Sequence, residues 1–324
     1  MTSNPIQSVL IVGPGAVGSM LAANSCMGLS GGLYPMKIRL AGSENLSIFS
    51  RLHLEKINSV GLFLKSNIKK SSIAKPNVEF SPSSEKADLV IFAVKVFDLV
   101  EASKMFLPSI SSSTIVLVVS NGLGVSEKLD ENIDRNNCFR GLIETGCELV
   151  GSGEIVQHGE SRLELSPNDA GQSCCIQNAF EKIEFFFQNS GFKVSTCDNS
   201  RLSEWKKFIV NSSINPLATL FECKNGDLLR EPIIYILSEL CSEIQQLVDS
   251  EKLSIDVRAK VLKIARNTYE NQNSMLKSFL KRRKSELQEF TGEILRLAVS
   301  NELHLPLNKF LFNALRIIED RNKM

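Results

Sequence analysis

The strongest constraint on what this chain can fold into lies near its start. Ser8-Val9-Leu10-Ile11-Val12 runs directly into Gly13-Pro14-Gly15-Ala16-Val17-Gly18. The apolar run reads as a buried strand, and the residues from Ser19 to about Met27 read as a helix. A Gly-x-Gly-x-x-Gly turn in that setting divides three tasks among its glycines. Gly13 allows the tight bend, Gly15 lets a pyrophosphate approach with no Cβ in the way, and Gly18 lets the helix pack close to the strand. The helix N-terminus adds N–H groups and the positive end of its dipole. Gly13, Pro14, Gly15, Ala16, Val17 and Gly18 are therefore candidate dinucleotide-binding residues. The alternative is a glycine-rich turn that binds nothing.

Beyond this turn the chain alternates strand and helix. Met36–Ala41 reads as a second strand after a long, glycine-rich connection over Gly28–Pro35, and Leu46–Lys56 as a helix. Gly61–Lys65 and Ser71–Phe80 alternate loosely, as in a hairpin or edge pair. Ala87–Val94 and Thr114–Val119 are near-continuous apolar runs, the pattern of strands buried on both faces, with a helix over Phe97–Phe106 between them. Gly146–Val150 and Glu154–His158 read as a hairpin that Ser161–Leu165 joins, followed by a helix at Gln177–Asn189 and a strand at Phe192–Thr196. Strand patterns then stop. Glu204–Phe221, Pro232–Ser250, Asp256–Asn267, Ser285–Asn301 and Pro306–Asp320 carry apolar residues at three- and four-residue steps. The expected organisation is α/β: an N-terminal Rossmann-type domain over residues 1–198, and an all-helical C-terminal domain over 199–324.

Composition removes several function classes. With 37 basic and 36 acidic residues the net charge is +1, which gives no electrostatic case for nucleic acid or an acidic membrane. The basic run Lys281–Lys284 falls in a helical stretch and reads as a solvated face. No apolar run reaches the roughly 18 residues a membrane span needs, and the N-terminus lacks the pattern of a signal peptide. The eight cysteines form no Cys-x-x-Cys, and the three histidines have no metal-ligand spacing. They read as packed, reduced thiols in a cytoplasmic protein without a structural metal.

The second informative segment is Trp205-Lys206-Lys207-Phe208-Ile209-Val210-Asn211-Ser212-Ser213-Ile214-Asn215-Pro216. On a helix, Lys207, Asn211 and Asn215 stand at four-residue steps and drift by about 40° each, so they share one stripe. Phe208, Ile214 and Leu217 flank it. A cation and two amides among apolar neighbours suit the polar wall of a cleft; an ordinary amphipathic helix with a polar outer face would read the same way. Pro216 should disturb the helix after Asn215. Ser274 and Glu286 carry no signal alone, and a helical glutamate is usually solvated.

Taken together, these segments resemble the ketopantoate reductases (2-dehydropantoate 2-reductases). The match runs through Gly13–Gly18, Ala93-Val94-Lys95, Ser120-Asn121-Gly122-Leu123-Gly124, Trp205-Lys206-Lys207, Val210–Leu217, Asn225-Gly226, Ser274-Met275-Leu276, and Glu286 with Gly292, in family order. The resemblance implies NADPH-dependent reduction of 2-dehydropantoate to (R)-pantoate in pantothenate and coenzyme A biosynthesis. It implies Lys207 as the proton-donating catalytic lysine, and Glu286 as a carboxylate at the reacting end that also meets the cofactor. Asn211, Asn215, Asn225 and Ser274 are similar to residues that hold the substrate's carboxylate and hydroxyl. Asn121 is similar to the asparagine that bridges nicotinamide ribose and substrate, and Lys95 to a cofactor-contacting lysine. Burial would lower the Lys207 pKa and a nearby Glu286 would raise it.

One departure bears on the cofactor. The family commonly places an arginine for the NADP 2′-phosphate after the second strand, where this chain has Ser43 followed by Glu44. An inward Glu44 would favour the free 2′-hydroxyl of NAD, while Lys95, Lys37, Arg39 and Arg51 are the cations that could compensate. NADP is the cofactor the family implies, with NAD the alternative. Two rival functions stand beside the first: a reductase of another 2-oxo acid, and a non-catalytic nucleotide-binding protein. The long amphipathic helices of the second half would allow a homodimer.

Overall fold

In the computed structural model, which describes residues 5–28, 36–42, 48–67, 71–167, 174–197 and 200–321, the chain divides into two compact units, Met1–Ser200 and Arg201–Met324. The first unit contains β1 (Ser8–Val12), α1 (Ala16–Gly28), β2 (Lys37–Ala41), α2 (Ile48–Val60), β3 (Leu62–Ser66), β4 (Ser72–Ala74), β5 (Asn77–Glu79) and β6 (Leu89–Phe92). It continues with α3 (Val96–Met105), β7 (Ile115–Val118), β8 (Cys138–Ile143), β9 (Gly146–Gly151), β10 (Glu154–His158), β11 (Arg162–Pro167), α4 (Cys174–Asn189) and β12 (Lys193–Thr196). Then come α5 (Ser200–Leu220), α6 (Ile233–Ser250), α7 (Val257–Asn267), α8 (Ser274–Leu280), α9 (Glu293–Ser300) and α10 (Pro306–Arg321).

An eight-stranded sheet in the order β12-β11-β8-β7-β6-β1-β2-β5 forms the core of the first unit. Its strands pair in parallel except β11 with β8. Both faces are covered, which explains the unbroken apolar runs. Val9, Ile11, Leu89, Ile91 and Leu117 enter one core cluster, while Leu10, Val12, Val90, Phe92 and Val118 enter the other. From β1 the chain crosses to β2 on one side and later returns to β6 on the other. The order of winding therefore reverses between β1 and β6, and a crevice at such a reversal, beyond the carboxyl ends of the strands, is where open α/β sheets bind ligands.

A second, four-stranded sheet runs β4-β3-β10-β9. It contains the expected β9–β10 hairpin and the antiparallel β3–β4 pair, while β5 leaves to edge the large sheet. The third strand of the expected hairpin group departs too: β11 pairs with β8 and β12 in the large sheet. Gly159, at φ 76°, turns the chain after β10, and Leu163 and Leu165 are then buried in the large sheet's core. The same core cluster also takes Leu62, Leu64 and Ile155 of the small sheet. The Gly28–Pro35 connection beyond Gly28, the side chains of Cys174 and Cys175, and the expected boundary at 198 lie outside the described residues.

The described elements of the second unit are all helices. α6 packs against α7, α9 and α10. The Glu243 carboxylate of α6 accepts the N–H groups of Leu307 and Asn308 at 2.7 and 2.9 Å in the first turn of α10, where a helix favours negative charge. Two expectations need correction here. α5 continues unbroken through Pro216, which is buried. Proline removes one N–H and crowds one turn, and burial of α5 from Ser212 to Thr219 offsets both. The run Lys281–Lys284 is exposed but not helical; it forms the turn after α8, with Arg282 at φ 51°. α8 itself had no expected counterpart, because two turns are too short to display a period.

Candidate active site

In the first unit, the glycine turn follows β1 at the carboxyl edge of the sheet. Gly13 adopts φ 110°, and a Cβ on it would meet the Ala93 carbonyl at 2.9 Å. A Cβ on Gly18 would stand 2.0 Å from the Gly13 oxygen. Both positions thus demand glycine for the close approach of turn, helix and neighbouring strand. Gly15 differs: it is exposed, and a Cβ there would meet nothing within 4 Å. The first α1 hydrogen bond runs from Ser19 N–H to the Gly15 carbonyl at 2.9 Å. The N–H groups ahead of Ser19 consequently lack i−4 partners in the helix and face the turn. These residues fit the pyrophosphate of a dinucleotide.

Two further predicted residues gather at the same edge of the sheet. Lys95, half-buried, is the residue preceding α3 in the turn after β6. Asn121, also half-buried, sits in the turn after β7. The Ser120 hydroxyl donates to the Val94 carbonyl at 2.7 Å, which ties the two turns together. Thus Gly13–Gly18, Lys95 and Asn121 lie beyond the ends of the adjacent strands β1, β6 and β7.

The cations expected near a 2′-phosphate separate in the structure. Arg39 is fully buried, its guanidinium donating to Glu79 at 3.1 Å, Ser83 at 3.1 Å and the Glu85 carbonyl at 3.0 Å. A guanidinium committed to those acceptors does not serve as a phosphate reader. Lys37 pairs with Glu85 at 2.5 Å, at the start of β2 and so at the opposite end of that strand from the crevice. Arg51 is exposed on α2. Ser43 and Glu44 lie outside the described residues.

In the second unit, α5 is not a helix with a polar outer face. From Trp205 to Thr219 only Lys206, Lys207 and Asn211 are less than fully buried. The stripe therefore runs from a half-open end at Lys207 and Asn211 to a closed end at Asn215, which is 6% exposed. Its length is about 12 Å, eight residues at 1.5 Å each. Trp205 packs edge-on against Phe208 at 5.7 Å, and Phe208 reaches the Phe290 ring at 6.3 Å. Glu286 is 2% exposed and lies in a bend rather than on the helix expected from Ser285, so it is not the solvated glutamate a helix would usually present. It precedes a single wide π-helical turn at Gln288–Gly292, and the Phe290 N–H donates to its carbonyl at 3.1 Å. Wide turns of this kind recur at functional sites.

Asn225 sits in a short turn between α5 and α6. Its backbone N–H donates to the Asn271 carbonyl at 3.0 Å, and its side-chain amide donates to the Thr268 hydroxyl at 2.9 Å. The Thr268 hydroxyl itself donates to Ile264, which fixes the amide's orientation. The Asn225 Oδ1 is left buried with no hydrogen-bond partner among the described residues. An orphan acceptor of this kind costs about 1–3 kcal/mol unless a ligand or water satisfies it. Ser274 is the exposed first residue of α8. Among the described residues no group of three or more His, Cys, Asp or Glu side chains could hold a metal. No described helix is long and apolar enough to cross a membrane.

Sequence reading passed over two buried polar residues near these elements. Arg140 interrupts the apolar strand β8 and is 2% exposed. His53 of α2 is fully buried; its Nδ1 accepts the Gly153 N–H at 2.8 Å, and its Nε2 lies 2.9 Å from the Ser19 hydroxyl. For Arg140 the available signal was a charged residue inside an apolar run, which must find acceptors if the run is buried; His53 lies in a mixed polar and apolar stretch and gave none.

A reversed parallel sheet with an open glycine turn at the reversal defines a Rossmann-type dinucleotide-binding protein, carried here with a helical second unit. The ketopantoate reductase PanE/ApbA model matches residues 27–170 and its C-terminal counterpart matches 199–319. The chain belongs to this family of nicotinamide-dinucleotide oxidoreductases. It is 24% identical over 317 residues to the 2-dehydropantoate 2-reductase of Archaeoglobus fulgidus, covering 97% of this chain and 98% of the relative. It is 27% identical over 314 residues to that of Pyrococcus abyssi, covering 95% and 96%. A PanE/ApbA family ketopantoate reductase from Ralstonia eutropha shares the fold with a TM-score of 0.84 at 24% identity, over 98% of this chain and 100% of that one. A D-mandelate dehydrogenase solved with NADH and anilino(oxo)acetate does so with a TM-score of 0.86 at 21% identity, over the same shares.

Proposed function

We propose that this protein reduces 2-dehydropantoate to (R)-pantoate with NADPH, the first unit holding the cofactor and the second the substrate. The observation that carries the proposal is the α5 stripe: a half-buried lysine and two amides in line on an otherwise buried helix. A bound reduced nicotinamide supplies a hydride to the 2-oxo carbon. Lys207 stabilises the negative charge that grows on the carbonyl oxygen and donates its proton there. Asn211 and Asn215 donate to the substrate's oxygens along the same stripe. The orphaned Asn225 Oδ1 accepts a hydroxyl proton of the substrate, and Ser274 adds a hydroxyl. Glu286 holds a carboxylate at the reacting end. Lys95 and Asn121 meet the cofactor beside Gly13–Gly18, and Asn121 also meets the substrate.

A second reading is a related reductase of another 2-oxo acid; for the cofactor, one set of observations favours NADH over NADPH. Ser43 stands where the family's 2′-phosphate arginine is expected, and Arg39 and Lys37 are engaged elsewhere. An absorbance assay of reduced-nicotinamide consumption, run with each cofactor against a panel of 2-oxo acids, separates the two. Highest catalytic efficiency with NADPH and 2-dehydropantoate is the expected result. Turnover of neither cofactor with that substrate would remove the first reading.

A further inference from the structure

The acceptors of Arg140 set it apart from the other buried arginine. Its Nη1 donates to the Val118 carbonyl at 2.8 Å and to its neighbour Gly141 at 3.0 Å. Its Nη2 donates to the Ser120 carbonyl at 2.6 Å and reaches that of Gly122 at 3.5 Å. One guanidinium thus gathers every second carbonyl of the segment leaving β7. In a planar trans peptide the N–H of the next residue points opposite to each carbonyl. Drawing in Ser120 O and Gly122 O therefore turns the N–H groups of Asn121 and Leu123 away from the guanidinium. The path requires Gly122 at φ 130° and Gly124 at φ 56°. Asn121 stands between two captured carbonyls, and the Ser120 hydroxyl passes the constraint to Val94, next to Lys95.

We infer that Arg140 is a positioning residue for the nicotinamide end of the cofactor site: it holds the Ser120–Gly124 turn so that Asn121 and the Asn121 and Leu123 N–H groups are presented to the dinucleotide. The inference rests on the reading of Asn121 as a nicotinamide-side residue. Arginine is suited to the task because its planar fork holds several acceptors in one fixed geometry, which an ammonium does not.

The test compares two ligands by calorimetry on the full chain. ADP engages the glycine turn but has no nicotinamide nucleoside; the reduced dinucleotide has both. Arg140→Gln is expected to weaken binding of the reduced dinucleotide about tenfold while ADP affinity holds within about twofold, with Arg140→Lys between. A merely structural role predicts that both affinities fall together, and that result, or no change in either, overturns the inference. If Arg140→Gln does not fold, Arg140→Lys and Ser120→Ala carry the same comparison. Asn121→Ala tests the underlying reading separately. A ratio that falls in Arg140→Gln but not in Asn121→Ala keeps Arg140 in place and moves the contact to the backbone N–H groups. Failure of the proposed reaction shows instead as an inactive wild type, which leaves these affinity ratios intact.

Discussion

Single residues divide here by what their burial commits them to. Lys207 is half-buried at the more open end of α5, a setting that leaves its ammonium within reach of a ligand. Lys207→Ala should lower kcat by about two to four orders of magnitude, the scale of a lost general acid, and steady-state kinetics would check this. Arg39 is the opposite case, a cation spent on Glu79, Ser83 and Glu85. Arg39→Gln should cost about 3 kcal/mol in chemical denaturation, because it strands a mostly buried carboxylate. It should leave the ratio of NADPH to NADH efficiency unchanged. A shift in that ratio would make Arg39 a phosphate reader after all.

At the scale of elements, the turn from β1 to α1 makes Gly13 and Gly18 sterically obligatory and leaves Gly15 open. Gly18→Ala forces a Cβ onto the Gly13 oxygen and should destabilise by about 1–3 kcal/mol or more. Gly15→Ala meets open space, so its melting temperature should stay near wild type while dinucleotide affinity falls. Thermal melts with and without cofactor distinguish the two. His53 ties α1 and α2 to the β9–β10 turn. Burial pushes its pKa from 6.5 down to about 4, and the Nδ1 that accepts from Gly153 cannot also carry a proton. A depressed histidine pKa contributes stability that is fully present above pH 6.5 and is lost as pH falls toward 4. Between pH 7.5 and 5 the wild type should lose about 2 kcal/mol more than His53→Gln, measured by urea unfolding at each pH.

For the whole molecule, the division into a doubly covered sheet and a helical unit was legible because the two periods differ. Apolar runs at β1, β6 and β7 and three- and four-residue steps from α5 onward report burial directly. Sheet membership was not legible: β11 looks like a partner of β10 and pairs with β8 instead, after the chain turns at Gly159. Reduced cofactor at 100 times its Kd should raise unfolding stability by about 2.7 kcal/mol, and a concentration series of thermal melts with NADPH and NADH would rank the two.

The chain alone determined the glycine turn, the α5 stripe and the family, because each is a local spacing of residue types that survives without knowledge of neighbours. Only the tertiary structure decided the rest. It showed that Glu286 is buried, that Pro216 does not break α5, that Arg39 is occupied, and that Arg140 gathers the turn carrying Asn121. These outcomes depend on partners distant in sequence, and a buried charge or amide takes its meaning from the acceptors that long-range packing brings to it.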